Sequence, residues 1–314
     1  MSASILPSNQ NPLGALPARF RRQRILVVGC GDVGLRVARE LHGRVRLFAL
    51  TSSPQRVPLL RSRGLTPLQG DLDEPGSLRR LAGLAHRVLH LAPPPGEPGL
   101  QWWRDRRTQA LVRTLARRSA PDALVYGSTS GVYGDCGGAR VPETRPIAPA
   151  TPRAQRRADA ERLVRHFGRT SGARCTLVRI PGIYAPDREG GTPRERLLRG
   201  TPVLRPEDDV YTSHIHADDL ARALVAALWR GRPQRVVHAC DDTEMKMGDW
   251  FDFAADVYGL PRPQRVARDA AQDQLPLHLL SFMGESRRLD NRRLKAELRV
   301  RLRHPTVREG LSGG

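Results

Sequence analysis

Lysine is nearly absent from this sequence: Lys246 and Lys295 are the only two among 52 basic residues. Aromatic residues make up just 5% of it, and there are four cysteines. No uninterrupted apolar run approaches the roughly 18 residues that a membrane span needs, which excludes a transmembrane protein. Cys30, Cys136, Cys175 and Cys240 lie far apart and form no C-x-x-C pair. That excludes a disulfide framework or a zinc site and fits a reducing, cytoplasmic compartment. Residues 1–23 hold no apolar block followed by a small-residue cleavage site, so no secretory leader is expected and the stretch reads as a flexible tail.

What is present suffices for a sizeable core. The chain has 314 residues, 39% of them apolar, room for one large domain or two modest ones. The formal net charge is +20, which taken alone points to a polyanionic partner. The arginines, however, are spread over nearly every segment. The densest groups, Arg19–Arg24 and Arg104–Arg118, hold one aromatic between them, Phe20, and not the repeated interleaving of aromatics that stacks on single strands. They read as solvated faces, with non-specific, salt-sensitive contact to nucleic acid as their expected consequence.

From residue 24 onward short β-branched runs alternate with amphipathic stretches. Strands are expected at 24–29, 45–50, before Gly70, and at 88–91, 123–126 and 175–180. Helices are expected at 32–42, 54–63, 77–84, 103–118 and 154–167. Such alternation means βαβ units and an α/β fold with a doubly wound parallel sheet. Beyond Pro181 the rhythm changes to a polar loop at 184–192, helices at 217–229, 248–258 and 291–298, and a short strand at 236–238. The expected organisation is a dinucleotide-binding domain over 24–180 and a smaller substrate lobe over 181–314, interleaved with it.

Gly29-Cys30-Gly31-Asp32-Val33-Gly34 is a G-x-G-x-x-G segment that directly follows the first strand and opens a helix. In that setting the glycines allow a tight turn and close approach of a pyrophosphate to the helix N-terminus. Gly29, Gly31, Asp32, Val33 and Gly34 are therefore expected to bind a dinucleotide. NAD selectivity needs a carboxylate about 20 residues further on. The sequence there is Leu50-Thr51-Ser52-Ser53-Pro54-Gln55-Arg56, which offers hydroxyls and a cation instead. Thr51, Ser52 and Arg56 suit a 2′-phosphate, so NADP(H) is expected in preference to NAD(H).

Gly127-Ser128-Thr129-Ser130-Gly131-Val132-Tyr133-Gly134 resembles a segment of the extended short-chain dehydrogenase/reductases, in their NAD-dependent epimerase/dehydratase branch and among its atypical members. Gly70-Asp71-Leu72, His90-Leu91-Ala92-Pro93, Arg179-Ile180-Pro181-Gly182-Ile183-Tyr184 and Ile215-His216-Ala217-Asp218-Asp219-Leu220 match further segments in order. So do Arg287–Leu294, His304-Pro305 and Arg308–Leu311, and the likeness spans about residues 24–311. The resemblance implies a Rossmann-type fold with a smaller C-terminal lobe. It also implies cofactor contacts from Asp71, Leu72, Leu91, Ala92, Pro93 and Pro181, and a substrate-facing hydroxyl on Thr129.

Two departures bear on the chemistry. Val28 stands where the family's first glycine would be. The Tyr-x-x-x-Lys pair is missing, and spacing back from Glu161 places Arg153 and Arg157 at its positions. Arginine stays protonated at neutral pH and cannot replace the tyrosine as proton donor, although Arg157 can hold ribose or phosphate. Tyr133 and Tyr184 are the candidate substitute acids, the latter with Arg188 nearby to lower its pKa. His214 and His216 titrate in the useful range, but His216, Asp218 and Asp219 read first as residues that order a helix start. The expected function is an NADP-favouring oxidoreductase or epimerase acting on a carbonyl, hydroxyl or sugar-nucleotide-like substrate, with no metal. The alternative is a non-catalytic NADP(H)-binding sensor or partner-binding protein.

Overall fold

The computed structural model describes residues 23–96, 101–275 and 277–312. The expected tail, with Arg19, Arg21 and Arg22, lies outside the described residues except for Gln23. Seven strands form one parallel sheet: β1 (Arg24–Val28), β2 (Arg46–Thr51), β3 (Thr66–Gln69), β4 (Arg87–His90), β5 (Ala123–Thr129), β6 (Arg174–Ile180) and β7 (Arg235–His238), in the spatial order β7-β6-β5-β4-β1-β2-β3. β1 pairs with both β2 and β4, so the strand order reverses at β1. In open α/β sheets the crevice at the carboxyl end of that reversal is where ligands bind.

Helices cover both faces. On one, α1 (Asp32–Leu41) packs against a later helix, Ala217–Arg230, through Val37, Leu41, Leu220 and Leu224. On the same face α2 (Val57–Ser62) adds Leu60 to that core. On the other face lie α3 (Arg106–Leu115) and α4 (Pro152–Ser171), where Leu111, Leu115, Val164 and Phe167 close a second core. The later helix becomes α5, and α6 (Met247–Tyr258) anchors a third core around Trp250 and Phe251 in the smaller lobe. Full burial of each large apolar side chain contributes about 1.5–3 kcal/mol, which is why the alternating apolar pattern decides the layers.

Several boundaries differ from the sequence pattern for local reasons. The helix expected from residue 103 starts at Arg106, because the Asp105 carboxylate accepts the Thr108 N–H (2.9 Å) and caps it there. The helix expected at 77–84 is a 3₁₀ segment, Pro75–Leu81. That expected at 154–167 extends over Pro152–Ser171, capped by Thr151 and ended by Gly172 at φ +75°. That expected at 291–298 shortens to Arg292–Ala296. The boundary at residue 180 divides the sequence but not the sheet: α5 and β7 return from the second half, and β7 pairs in parallel with β6.

Short two-stranded ladders build the smaller lobe. Gly182–Tyr184 pairs with His214–His216, Tyr211–Thr212 with Met245–Lys246, and Arg140–Val141 with Arg288–Leu289. Among the described residues no helix is long and apolar enough to cross a membrane, and no cluster of His, Cys, Asp or Glu could hold a metal ion.

Candidate active site

The turn after β1 is dictated by contact. Gly29 sits at φ +84°, and a Cβ there would lie 2.2 Å from the backbone nitrogen of Ala92. Leu91 and Ala92 in turn donate to the Val28 carbonyl (2.7 and 3.1 Å). The segment after β4 thus lies directly on the glycine turn. At Gly31 the situation is opposite: a Cβ would meet nothing within 4 Å and would project into open space. That space is a cavity of about 300 Å³ lined by Gly29, Gly31, Asp32, Val33, Gly34, Leu91, Thr129, Arg157, Pro181 and Arg188, among others.

A second cavity of about 540 Å³ shares Thr129, Arg157, Pro181, Ile183 and Arg188 with the first. It lies between the C-terminal end of β5, the start of α4 and the smaller lobe. Its charge is one-sided: among the described residues Arg153, Arg157, Arg188, Arg196 and Arg287 line it against a single carboxylate, Glu285. Burial lowers the pKa of Arg153, helped by neighbouring Arg157 and Arg287 and opposed by Glu285. Arg157 donates to the Gly127 carbonyl (2.8 Å) and the Tyr126 hydroxyl (3.1 Å), which fixes its guanidinium where the two cavities meet.

Not every residue expected from the sequence reaches this cleft. Arg56 comes close, donating to the Cys30 carbonyl of the glycine turn (2.7 Å). Thr51 is buried and its hydroxyl bonds within its own turn, to Ser53 (3.2 Å), while Ser52 is exposed. Asp71 accepts the Asp73 N–H (2.9 Å), and the Pro93 carbonyl takes Arg107 (3.3 Å). Leu72 lines a separate groove of about 1000 Å³ with Trp102, Arg104, Arg106, Arg113 and Arg117. Thr129 lines both cavities. Its oxygen accepts the Gly131 N–H (3.2 Å), leaving the hydroxyl proton free to turn into either cavity.

Both candidate tyrosine acids are corrected by their partners. The Tyr133 hydroxyl is 2.6 Å from Arg179 Nη1 and 2.6 Å from His238 Nε2, and the side chain is buried. Arg179 also makes a bidentate pair with Glu161 (3.0 and 2.7 Å), whose carboxylate takes the Ser128 hydroxyl (2.7 Å). Tyr133 belongs to this interior network rather than to the cleft. Tyr184 lines the larger cavity with its ring, but its hydroxyl donates to the Thr306 carbonyl (3.1 Å). Burial raises its pKa, with Asp241 and Asp219 adding to the effect. Arg188 does not counter this, because it donates to the Ile183 carbonyl and faces Asp32.

The histidines take structural places. His216 Nδ1 accepts the Asp218 N–H (3.2 Å) at the start of α5. Asp219 accepts backbone N–H groups of Arg303 and His304 and so ties down the C-terminal segment. His214 lines the larger cavity, but burial pushes its pKa down to about 4 and Arg196 adds to the effect, so it is neutral at pH 7. The residues that sequence reasoning missed are Glu285 and Arg196. Glu285 arrives because the Arg288–Leu289 ladder carries residues 285–287 beside the turn after β5, where Arg287 pairs with it at 2.7 Å. Its local sequence carries no periodicity that could have revealed this.

The family model of the NAD dependent epimerase/dehydratase family matches residues 25–240. A conserved protein of unknown function from Silicibacter pomeroyi is 31% identical, with a TM-score of 0.78 over 93% of this chain and 97% of its own. UDP-glucose 4-epimerase from Thermotoga maritima, solved with UDP-glucose, is 19% identical, with a TM-score of 0.75 over 92% and 96%. UDP-glucuronic acid 4-epimerase from Bacillus cereus, solved with NAD, is 18% identical, with a TM-score of 0.72 over 92% and 96%. The last two share the fold. No curated protein sequence matches the chain.

Proposed function

The chain belongs to the NAD-dependent epimerase/dehydratase family, and from that premise we propose that it binds a nicotinamide dinucleotide, NADP(H) in preference to NAD(H), and acts on the carbonyl or hydroxyl carbon of an anionic, sugar-nucleotide-like substrate. One observation carries the reading: an open glycine cradle adjoins a cavity lined by five arginines, the two sharing Thr129 and Arg157.

The residues fit the cofactor. The space beyond Gly31 is what close approach of a pyrophosphate needs, and no carboxylate ends β2 to take a ribose 2′-hydroxyl. Arg56, held at the Cys30 carbonyl, is the cation near that end of the site. Bound there, the nicotinamide supplies hydride chemistry. Arg157 holds ribose or phosphate at the junction, and Thr129 donates its hydroxyl to the substrate oxygen on which charge develops. The arginines of the larger cavity orient phosphate or carboxylate groups in a setting where burial strengthens charge-assisted hydrogen bonds.

A second reading is favoured by the fate of the tyrosines. Arg153 and Arg157 stand at the positions of the family's Tyr and Lys, and the hydroxyls of Tyr133 and Tyr184 are committed elsewhere. A non-catalytic NADP(H)-binding sensor is consistent with that. Calorimetric titration with NADPH and NADH, followed by turnover assays on sugar nucleotides and simple carbonyls, decides between the two. Tighter NADPH binding with turnover supports the enzyme, and tighter binding without turnover across the panel supports the sensor. Absence of binding by either dinucleotide overturns both.

A further inference from the structure

The loop over residues 185–193 joins the strand Gly182–Tyr184 to the short helix Arg194–Leu198 and touches both cavities. Arg188 lines the smaller one, while Arg188, Gly190, Gly191 and Thr192 line the larger. Two ion pairs strap this loop to the helix that follows the glycine turn. Asp187 accepts from Arg36 (2.7 Å), and Arg188 Nε lies 3.2 Å from Asp32 Oδ2. The first is well made. The second brings the charges together without an aligned hydrogen bond, and Arg188 Nε is buried with no hydrogen-bond partner.

Asp32 is the first residue of α1, directly after Gly31, and its side chain is about one-third exposed in the wall of the smaller cavity. An acid there is favourable to the helix N-terminus. It is unfavourable to any further anion brought to the same terminus, since like charges a few ångströms apart repel strongly outside bulk water. Asp32 has a second cation, because Arg36 Nε donates to its carboxylate (3.1 and 3.3 Å). Arg36 is in turn held by Asp218 (2.5 Å) and Asp187. Arg188 can therefore leave Asp32 without stranding it.

We propose that Arg188 binds the pyrophosphate of the dinucleotide, exchanging its loose contact with Asp32 for it, and that this exchange fixes the loop that walls the substrate cavity. The inference rests on the dinucleotide reading above and adds to it a binding residue from outside the glycine turn. Because the loop is shared, dinucleotide binding completes the wall of the larger cavity, and substrate binds second.

The test is the affinity of NADP⁺ and NAD⁺ for the wild type, R188Q, D32N and the double variant, measured by calorimetry. R188Q is expected to weaken both dinucleotides by the same factor, about 10- to 100-fold for a lost charged hydrogen bond, because both carry the same pyrophosphate. Removing Arg56, by contrast, affects NADP⁺ alone. D32N is expected to tighten both, and the double variant to recover part of the loss, because no carboxylate then faces the pyrophosphate. R188Q affinities within about twofold of wild type, or a loss confined to NADP⁺, overturn the proposal while leaving the dinucleotide reading intact; the twofold margin is well below the effect of a charged hydrogen bond. Should R188Q fail to fold, D32N decides: tighter binding supports the exchange and unchanged binding overturns it. If the wild type binds neither dinucleotide, the cofactor reading itself fails and this proposal falls with it.

Discussion

The Tyr133 hydroxyl lies 2.6 Å from Nε2 of His238, and the other ring nitrogen of that histidine bonds the Asp290 carbonyl at 2.9 Å. With Arg179 donating to the same hydroxyl, the protons are ordered: arginine donates to tyrosine, tyrosine to histidine, and histidine to backbone. Replacing Tyr133 by Phe leaves Arg179 and His238 short of a partner inside the protein. The expected cost is about 1–3 kcal/mol of stability, with dinucleotide affinity unchanged. Urea unfolding and NADPH titration of the same variant check both halves. Intact stability combined with lost turnover would return Tyr133 to the active site.

Gly31→Val and Gly29→Ala should separate binding from folding. At Gly31 the new side chain enters open space in the smaller cavity, so the variant is expected to fold normally and bind no dinucleotide. At Gly29 even a methyl group meets the Ala92 backbone at 2.2 Å with φ at +84°, and the variant is expected to lose several kcal/mol of stability, in the range of strained-backbone and overpacking costs. Thermal unfolding and NADPH titration of each distinguish the two. Normal NADPH affinity in folded Gly31→Val would show that the cavity beyond the turn is not the pyrophosphate site.

Arg56→Ala is expected to weaken NADPH by about tenfold or more, the loss of a charged hydrogen bond, and to leave NADH unaffected. The expectation comes from the position of Arg56 at the Cys30 carbonyl and the lack of an acid after β2. Equal losses for the two dinucleotides would place Arg56 at the pyrophosphate instead.

Thr129→Val removes a hydroxyl from the junction of the cavities at nearly constant volume. In an active enzyme turnover should fall by about 10²–10³, the usual effect of deleting a donor that stabilises developing charge. Tyr184→Phe removes the bond to the Thr306 carbonyl and the contact with Asp241, both away from the reacting carbon, and should leave turnover near wild type. Steady-state kinetics of the pair give the comparison, and a reversed order of effects would make Tyr184 the proton donor.

Acid should destabilise the protein through its buried imidazoles. Burial holds His90 and His238 down to about 3 and His214 to about 4, whereas unfolded histidine titrates near about 6.5. Between those values the unfolded chain binds more protons, so this stabilisation is fully present above about pH 6.5 and is lost as the pH falls toward the folded values. Each histidine should give up about 1–2 kcal/mol between about pH 6.5 and about pH 5. Asp241 acts oppositely: burial raises its carboxyl to about 8, so its contribution is lost as pH rises and offsets about one of the three over this window. Urea unfolding across the window, with proton NMR of the imidazoles, checks the sign. Stability that does not fall on acidification, or imidazoles that titrate near 6.5 in the folded protein, would contradict it.

The sequence by itself determined the parts that rest on neighbouring residues. The β-branched runs and amphipathic stretches specified the strands and helices of a parallel sheet. The glycine turn was legible because its chemistry lies within a few residues of one strand end, and so was the want of an acid after β2. The position of Thr129 at a strand end was legible for the same reason, since the strand's pattern is local. Tertiary structure alone decided what the titratable groups do. The partner that takes Tyr133 out of the cleft lies 105 residues further along the chain, and Tyr184 spends its hydroxyl on Thr306, 122 residues away. Glu285 joins the cleft only through the ladder between Arg288–Leu289 and Arg140–Val141. A hydroxyl or carboxylate reads the same in sequence whether it faces a cavity or a buried arginine. Its pKa and availability are set by desolvation and by whichever charges long-range packing brings within a few ångströms, and neither leaves a periodic trace in the chain.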